Sequence, residues 1–221
     1  MDYDQLLARL KAMENRANVE GMARFGINSK NTLGISVVTL RKIGREVGKD
    51  HPLALKLWSS GIHEARILAC FIADPKKVTP ALMDRWVKDF DSWDVCDQCC
   101  MNLFDKTPYA YEKVKQWSVR KEEFVRRAAF ALMACLAVHD KEASNRDFQR
   151  FFPLIKSSAT DSRNYVKKAV NWALRQIGKR NAFLHREAVR TATEIAKIDS
   201  ASARWIAADA IRELKSKTPR G

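Results

Sequence analysis

Trp93 and Asp97 stand four residues apart in the segment Asp91-Ser92-Trp93-Asp94-Val95-Cys96-Asp97-Gln98. On a helix that spacing makes them neighbours on one face. Ser92 reads as the N-cap, which puts Trp93 and Asp94 in the first turn. A carboxylate beside an indole face is a compact site for a cation, whether a positively charged ligand or a carbocation that develops as a bond breaks. Taken alone, the pair reads equally as an exposed aspartate beside a half-buried tryptophan.

Two further segments bear on chemistry. In Arg163–Lys179, Val166, Ala169, Val170, Ala173 and Ile177 recur at helical intervals and form a core stripe, while Lys168, Trp172, Arg175 and Lys179 follow the same spacing on the other side. No acidic residue occurs between Arg163 and His185. An aromatic among cations suits the sugars, bases and phosphates of a nucleic acid; the alternative is that Trp172 packs on a neighbouring repeat. In Phe124–Phe130, Arg127 points away from the stripe of Val125, Ala128, Ala129 and Leu132. It reads either as a phosphate contact or as a surface arginine paired with Glu123.

The whole-chain charge supports a polyanionic partner. Lys and Arg number 40 against 26 Asp and Glu, a formal net charge of +14 over 221 residues. Such an excess favours phosphates, whose neutralisation releases counterions; the alternative is a generally basic surface. Cys96, Cys99 and Cys100 carry a spacing found in zinc sites, yet no second pair follows and the four histidines lie far apart. They read as core thiols, with no metal. No glycine-rich phosphate loop or nucleophile elbow is present, and no cofactor is expected. The acidic N-terminus resembles no targeting segment and no apolar stretch could span a bilayer, so a cytoplasmic protein with reduced thiols is expected. Trp86, Trp117 and Trp205 fit core stripes, and His63 reads as a possible helix cap.

The elements that must position these residues are helices. Glycine and proline are scarce, at 8 and 6 residues, and nearly every segment has a period near 3.6. Helices are predicted over roughly 3–15, 19–25, 37–48, 51–60, 62–73, 78–89, 92–104, 108–119, 122–139, 144–157, 162–180, 182–196 and 199–216. The breaks carry turn signals at 28–31, Asp74-Pro75, Thr107-Pro108 and Ser157-Ser158. Helix pairs that begin every 35–40 residues describe an all-α, HEAT-like or armadillo-like solenoid of antiparallel pairs with a concave basic face, a natural cradle for duplex DNA; a generic helical bundle is the alternative. The expectation is a single domain over 1–221, with 214–221 a basic frayed tail.

Together, Met22-Ala23-Arg24-Phe25, Gly34-Ile35 before Leu40-Arg41, Ser92-Trp93-Asp94-x-x-Asp97, Arg127-Ala128-Ala129 and Lys168-Ala169-x-x-Trp172-x-Leu174-Arg175 resemble the AlkD-like DNA alkylation repair family, in the family's order from about residue 20 to 180. The resemblance implies HEAT-like repeats and a monomeric glycosylase that excises N3- and N7-alkylpurines from double-stranded DNA. It implies Asp97 as the catalytic aspartate, Trp93 and Trp172 as the tryptophans flanking the deoxyribose, and Arg24, Phe25, Arg127, Lys168, Arg175 and Lys179 as DNA contacts. Two departures concern DNA positioning: Phe25 stands where a tyrosine is common, and Ser36-Val37-Val38 where a polar residue and a proline are frequent. The rival readings are a non-catalytic module for damaged, bent or branched DNA, and a protein-interaction solenoid.

Overall fold

A computed structural model describes residues 1–216; of the basic tail expected at 214–221, residues 217–221 lie outside them. The chain divides into two compact units, Met1–Thr107 and Pro108 onward, at the Thr107-Pro108 break signal. Each is helical throughout its packed parts, as the periodicity requires.

The first unit holds α1 (Tyr3–Ala12), α2 (Arg16–Arg24), α3 (Val37–Val47), α4 (His51–Ser59), α5 (His63–Ile72), α6 (Pro80–Lys88) and α7 (Trp93–Asn102). Five of these start on a side-chain cap: Asp2, Asn15, Ser36, Asp50 and Thr79 each accept from the backbone N–H three residues on. This satisfies donors that a helix N-terminus leaves open. Helix α5 is the centre of the unit and packs on α3, α4 and α7. Its Ile67, Leu68, Ala69, Cys70 and Ile72 are fully buried, each large apolar side chain contributing about 1.5–3 kcal/mol. Gly44 lets α3 approach, since a Cβ there would lie 3.1 Å from the Phe71 Cβ. The Trp58 and Trp86 rings stack at 3.9 Å and 1°. Cys96, Cys99 and Cys100 are buried thiols outside any disulfide, as their apolar neighbours imply, and burial followed by neighbouring Cys70 pushes the Cys99 thiol well up.

The second unit holds α8 (Ala110–Ser118), α9 (Glu123–His139), α10 (Asn145–Gln149), α11 (Phe152–Ser157), α12 (Asn164–Gly178), α13 (Ala182–Ala196) and α14 (Ala201–Ser216). Helix α9, buried without a break from Arg127 to Ala137, packs on α8 and α12; α12 packs in turn on α13 and α14. Gly178 lets α12 approach α13 and α14, for a Cβ there would lie 2.7 Å from Leu214 Cδ2 and 2.8 Å from Ala188 Cβ.

Two expectations are corrected. The single helix expected over 144–157 is two, α10 and α11, because Pro153 lacks an N–H and its ring would clash with the Gln149 carbonyl. Trp205 is not core: it is 40% exposed, with the Lys167 ammonium 4.9 Å from its ring centre. Among the described residues, no helix is long and apolar enough to cross a membrane.

Candidate nucleic-acid interface

The start of α7 builds the first part of the site. Ser92 takes the extended N-cap conformation, φ −151° and ψ 144°. Its hydroxyl does not cap the helix; it donates to Asp94 Oδ1 at 2.8 Å. The buried Asp94 also accepts from its neighbour's Val95 N–H at 2.9 Å and meets His63 Nε2 at 2.8 Å. His63 therefore does not cap α5, as the sequence suggested; its ring pins α7 to α5. Burial disfavours charge on both groups, but their mutual contact prevails, holding the Asp94 carboxyl below and the His63 imidazole above their usual values.

On this anchored turn Trp93 is half-buried, and its indole N–H donates to the Phe25 carbonyl at 3.1 Å. Asp97, also half-buried, follows one turn later. Phe25 itself is 77% exposed, and Arg24 is exposed beside it. Trp93, Phe25, Met22, Ile27, Gly34 and Ile35 line an open, largely apolar groove of about 570 Å³.

One wall of that groove depends on Glu64, to which the sequence pattern assigns no role. Glu64 is fully buried, and its carboxylate accepts the backbone N–H groups of Leu33, Gly34 and Ile35 at 2.8, 2.7 and 3.2 Å. The available signal was a carboxylate at the head of a helix that is apolar from Ala65 to Cys70 except for Arg66. Gly34 has φ +77°, and a Cβ there would lie 2.3 Å from the Asn15 carbonyl oxygen, so the turn admits only glycine.

The second unit carries the remaining predicted residues. On α12, Trp172 is half-buried and Lys168 is exposed. Arg175 and Lys179, expected on an acid-free cationic face, both pair with Glu213 of α14, and Arg175 lies 3.7 Å from Asp209. Asp209 also accepts from Asn171 Nδ2 at 2.6 Å. Burial works against the Glu213 carboxylate, yet Lys179 and Arg175 hold its pKa at about 2. The face is thus partly neutralised by acids 30 to 40 positions further along the chain. Arg127 does not point away from the core: it is buried, and its guanidinium donates to the Tyr165 carbonyl at 2.7 Å, tying α9 to the start of α12. Among the described residues, no group of three or more His, Cys, Asp or Glu side chains is placed to hold a metal ion.

Comparison with known proteins bears on the family and the fold. Residues 6–214 match the family model described as DNA alkylation repair enzyme. The chain is 21% identical to the protein Lin0241 of Listeria innocua over 201 residues, 89% of this chain and 87% of that one. It is 27% identical to Lmo0209 of Listeria monocytogenes over 119 residues, 52% of this chain and 53% of the other. A solved structure from a family of proteins related to the HEAT-like repeat DNA glycosylases, with affinity for branched DNA structures, superposes with a TM-score of 0.80 at 20% identity, covering 100% of this chain and 99% of that one. The chain has the HEAT-like repeat fold and belongs to the DNA alkylation repair enzyme family.

Proposed function

We propose that the protein is a DNA glycosylase for cationic N3- and N7-alkylated purines in duplex DNA, acting as a cytoplasmic monomer. The observation that carries this reading is the anchored start of α7, where Trp93 and Asp97 occupy one half-buried face beside the exposed Phe25. An alkylated purine already bears positive charge, so it leaves without a general acid. What the protein must supply is stabilisation of an oxocarbenium-like sugar and a positioned water, and one carboxylate can do both. Asp97 takes that role, and the Trp93 indole face adds cation–π attraction as charge builds on the sugar. Trp172 and Lys168 offer the DNA a further aromatic and cationic surface, while Arg127 shapes that surface from beneath through the Tyr165 carbonyl.

Release of 7-methylguanine from methylated duplex DNA tests this. Asp97→Asn is expected to slow release by about 10²–10³-fold with DNA affinity retained; release at the parent rate refutes the role of Asp97.

A second reading has its own support. The structural relative binds branched DNA, Phe25 lacks a hydroxyl, and Arg175 and Lys179 are partly spent on Glu213. On that reading the protein binds branched DNA without cleaving a glycosidic bond. Tight binding to a four-way junction with no base release from any methylated substrate selects it.

A further inference from the structure

Arg41, Arg45 and Lys49 recur every four residues along α3 and just past its end. They form one side of a concave pocket of about 440 Å³ whose floor is Phe71 of α5 and whose far wall is Asn102, the last residue of α7, and Lys106 just beyond it. Gly48 turns the chain at φ +75°, which brings Lys49 back over the end of α5.

Each cation is fixed by neutral groups. Arg41 lies 5.0 Å from the Phe71 ring centre and donates to Gln98 Oε1 at 3.1 Å and Asn102 Oδ1 at 3.4 Å. Arg45 Nε donates to the Arg41 carbonyl at 3.3 Å. Lys49 caps the Phe71 and Ala73 carbonyls at 2.9 and 2.8 Å, and Lys106 the Asn102 carbonyl at 3.0 Å. Among the described residues none of the four pairs with a carboxylate; the nearby Glu46 is held by Arg9 at 2.6 Å. An ammonium has three N–H donors and a guanidinium five, so every one of these cations keeps a donor to spare.

Helix C-termini attract cations, which accounts for Lys49 and Lys106 but not for two arginines added beside them. Burial, then the charge of Lys106, pulls the Lys49 amine below its usual value, with Asp74 a partial offset. Four like charges held together without a counter-ion favour an anion.

We infer that this pocket is a phosphate cradle for a DNA strand, distinct from the Trp93 and Asp97 face. The DNA assignment rests on the nucleic-acid reading of the previous section; the anion site itself rests on the four cations. Asp97 and Gln98 adjoin on α7, and Asn102 lies about 8 Å further along its axis at 1.5 Å per residue. That is roughly two nucleotide rises of 3.4 Å, so a strand with a sugar at Asp97 brings a nearby phosphate to the cradle.

The test compares wild type with Arg45→Ala/Lys106→Ala, two exposed positions, and with Arg85→Ala/Lys88→Ala, an equal charge change on exposed positions of α6. Binding to duplex and four-way-junction DNA is measured across salt concentrations, and thermal stability with and without inorganic phosphate. The cradle predicts about a tenfold weaker Kd and a salt slope lowered by about 1 for the first pair, with little change for the second. Equal losses for both pairs overturn it, as a bulk-charge effect would give them. If wild type binds no DNA, the nucleic-acid reading fails. In that case phosphate stabilisation of wild type, absent in the first pair, reassigns the pocket to free phosphate, and no stabilisation removes the site altogether.

Discussion

Glu64→Ala removes a fully buried carboxylate that three backbone N–H groups share. Hydrogen bonds to a charged acceptor contribute about 1.5–3 kcal/mol each, and a buried N–H left without a partner costs about 1–3 kcal/mol. The turn at 33–35 relaxes in part, so the loss is set at about 4–5 kcal/mol, the upper end for single substitutions. Glu64→Gln is the informative partner. Oε1 carries two of the contacts, from Gly34 and Ile35, and Oε2 the one from Leu33. A glutamine can keep the first two while its NH₂ faces the Leu33 N–H, donor against donor, at a cost of about 2–3 kcal/mol. At roughly 2–4 °C per kcal/mol for a chain of this length, Tm falls by about 4–12 °C for Gln and about 8–20 °C for Ala. Thermal unfolding followed by circular dichroism reads both. Hydrogen exchange reads the cause, because the amides of Leu33, Gly34 and Ile35 should lose protection in Glu64→Ala ahead of the α5 amides. A Tm for Glu64→Ala within about 2 °C of wild type refutes the reasoning, whatever happens to activity.

Two other substitutions probe the same scaffold. His63→Gln should destabilise most in a defined pH window: the raised His63 value gives stabilisation that is full below its usual 6.5 and lost as pH climbs through the higher folded value, and the lowered Asp94 value gives stabilisation present above its usual 3.8 and lost as pH falls through the lower one. Unfolding midpoints of variant and parent should therefore converge toward alkaline pH, and a constant difference at all pH values counts against a charged pair. Gly34→Ala meets both the left-handed φ and the Asn15 carbonyl, and urea unfolding should show a loss of about 3 kcal/mol or more; a near-neutral result would mean that the Asn15 turn moves freely.

What the sequence reveals is governed by the range of the interaction. Helix existence depends on contacts three and four residues apart, and every predicted helix is present in position, with 144–157 alone divided. That division was also legible, since Pro153 forbids a continuous turn. Trp93 and Asp97 sharing a face is a local fact of the same kind. The partners that hold them there are not local. Asp94 finds His63 across 31 positions, Trp93 finds the Phe25 carbonyl across 68, and Glu64 finds the backbone of 33–35 about 30 residues back. No periodicity encodes such pairs, so the polar residues that anchor the site carry no local signal of that role.

Electrostatics shows the same limit with a larger consequence. A helix with no acid between Arg163 and His185 looks like the basic face of the molecule. Its charge, however, is set by what packs beside it, and α14 brings Asp209 and Glu213 to Arg175 and Lys179. Around α3 the opposite happens. Glu46 lies within the cationic run, which makes the segment look balanced in sequence, but it turns to Arg9 and leaves Arg41, Arg45 and Lys49 together. The net charge of +14 is therefore distributed differently from the way the one-dimensional pattern distributes it. Phosphate affinity follows the uncompensated cations rather than the densest ones, so the α3 pocket, and not the Arg175–Lys179 turn, is where neutralising two charges should most change the salt dependence of binding.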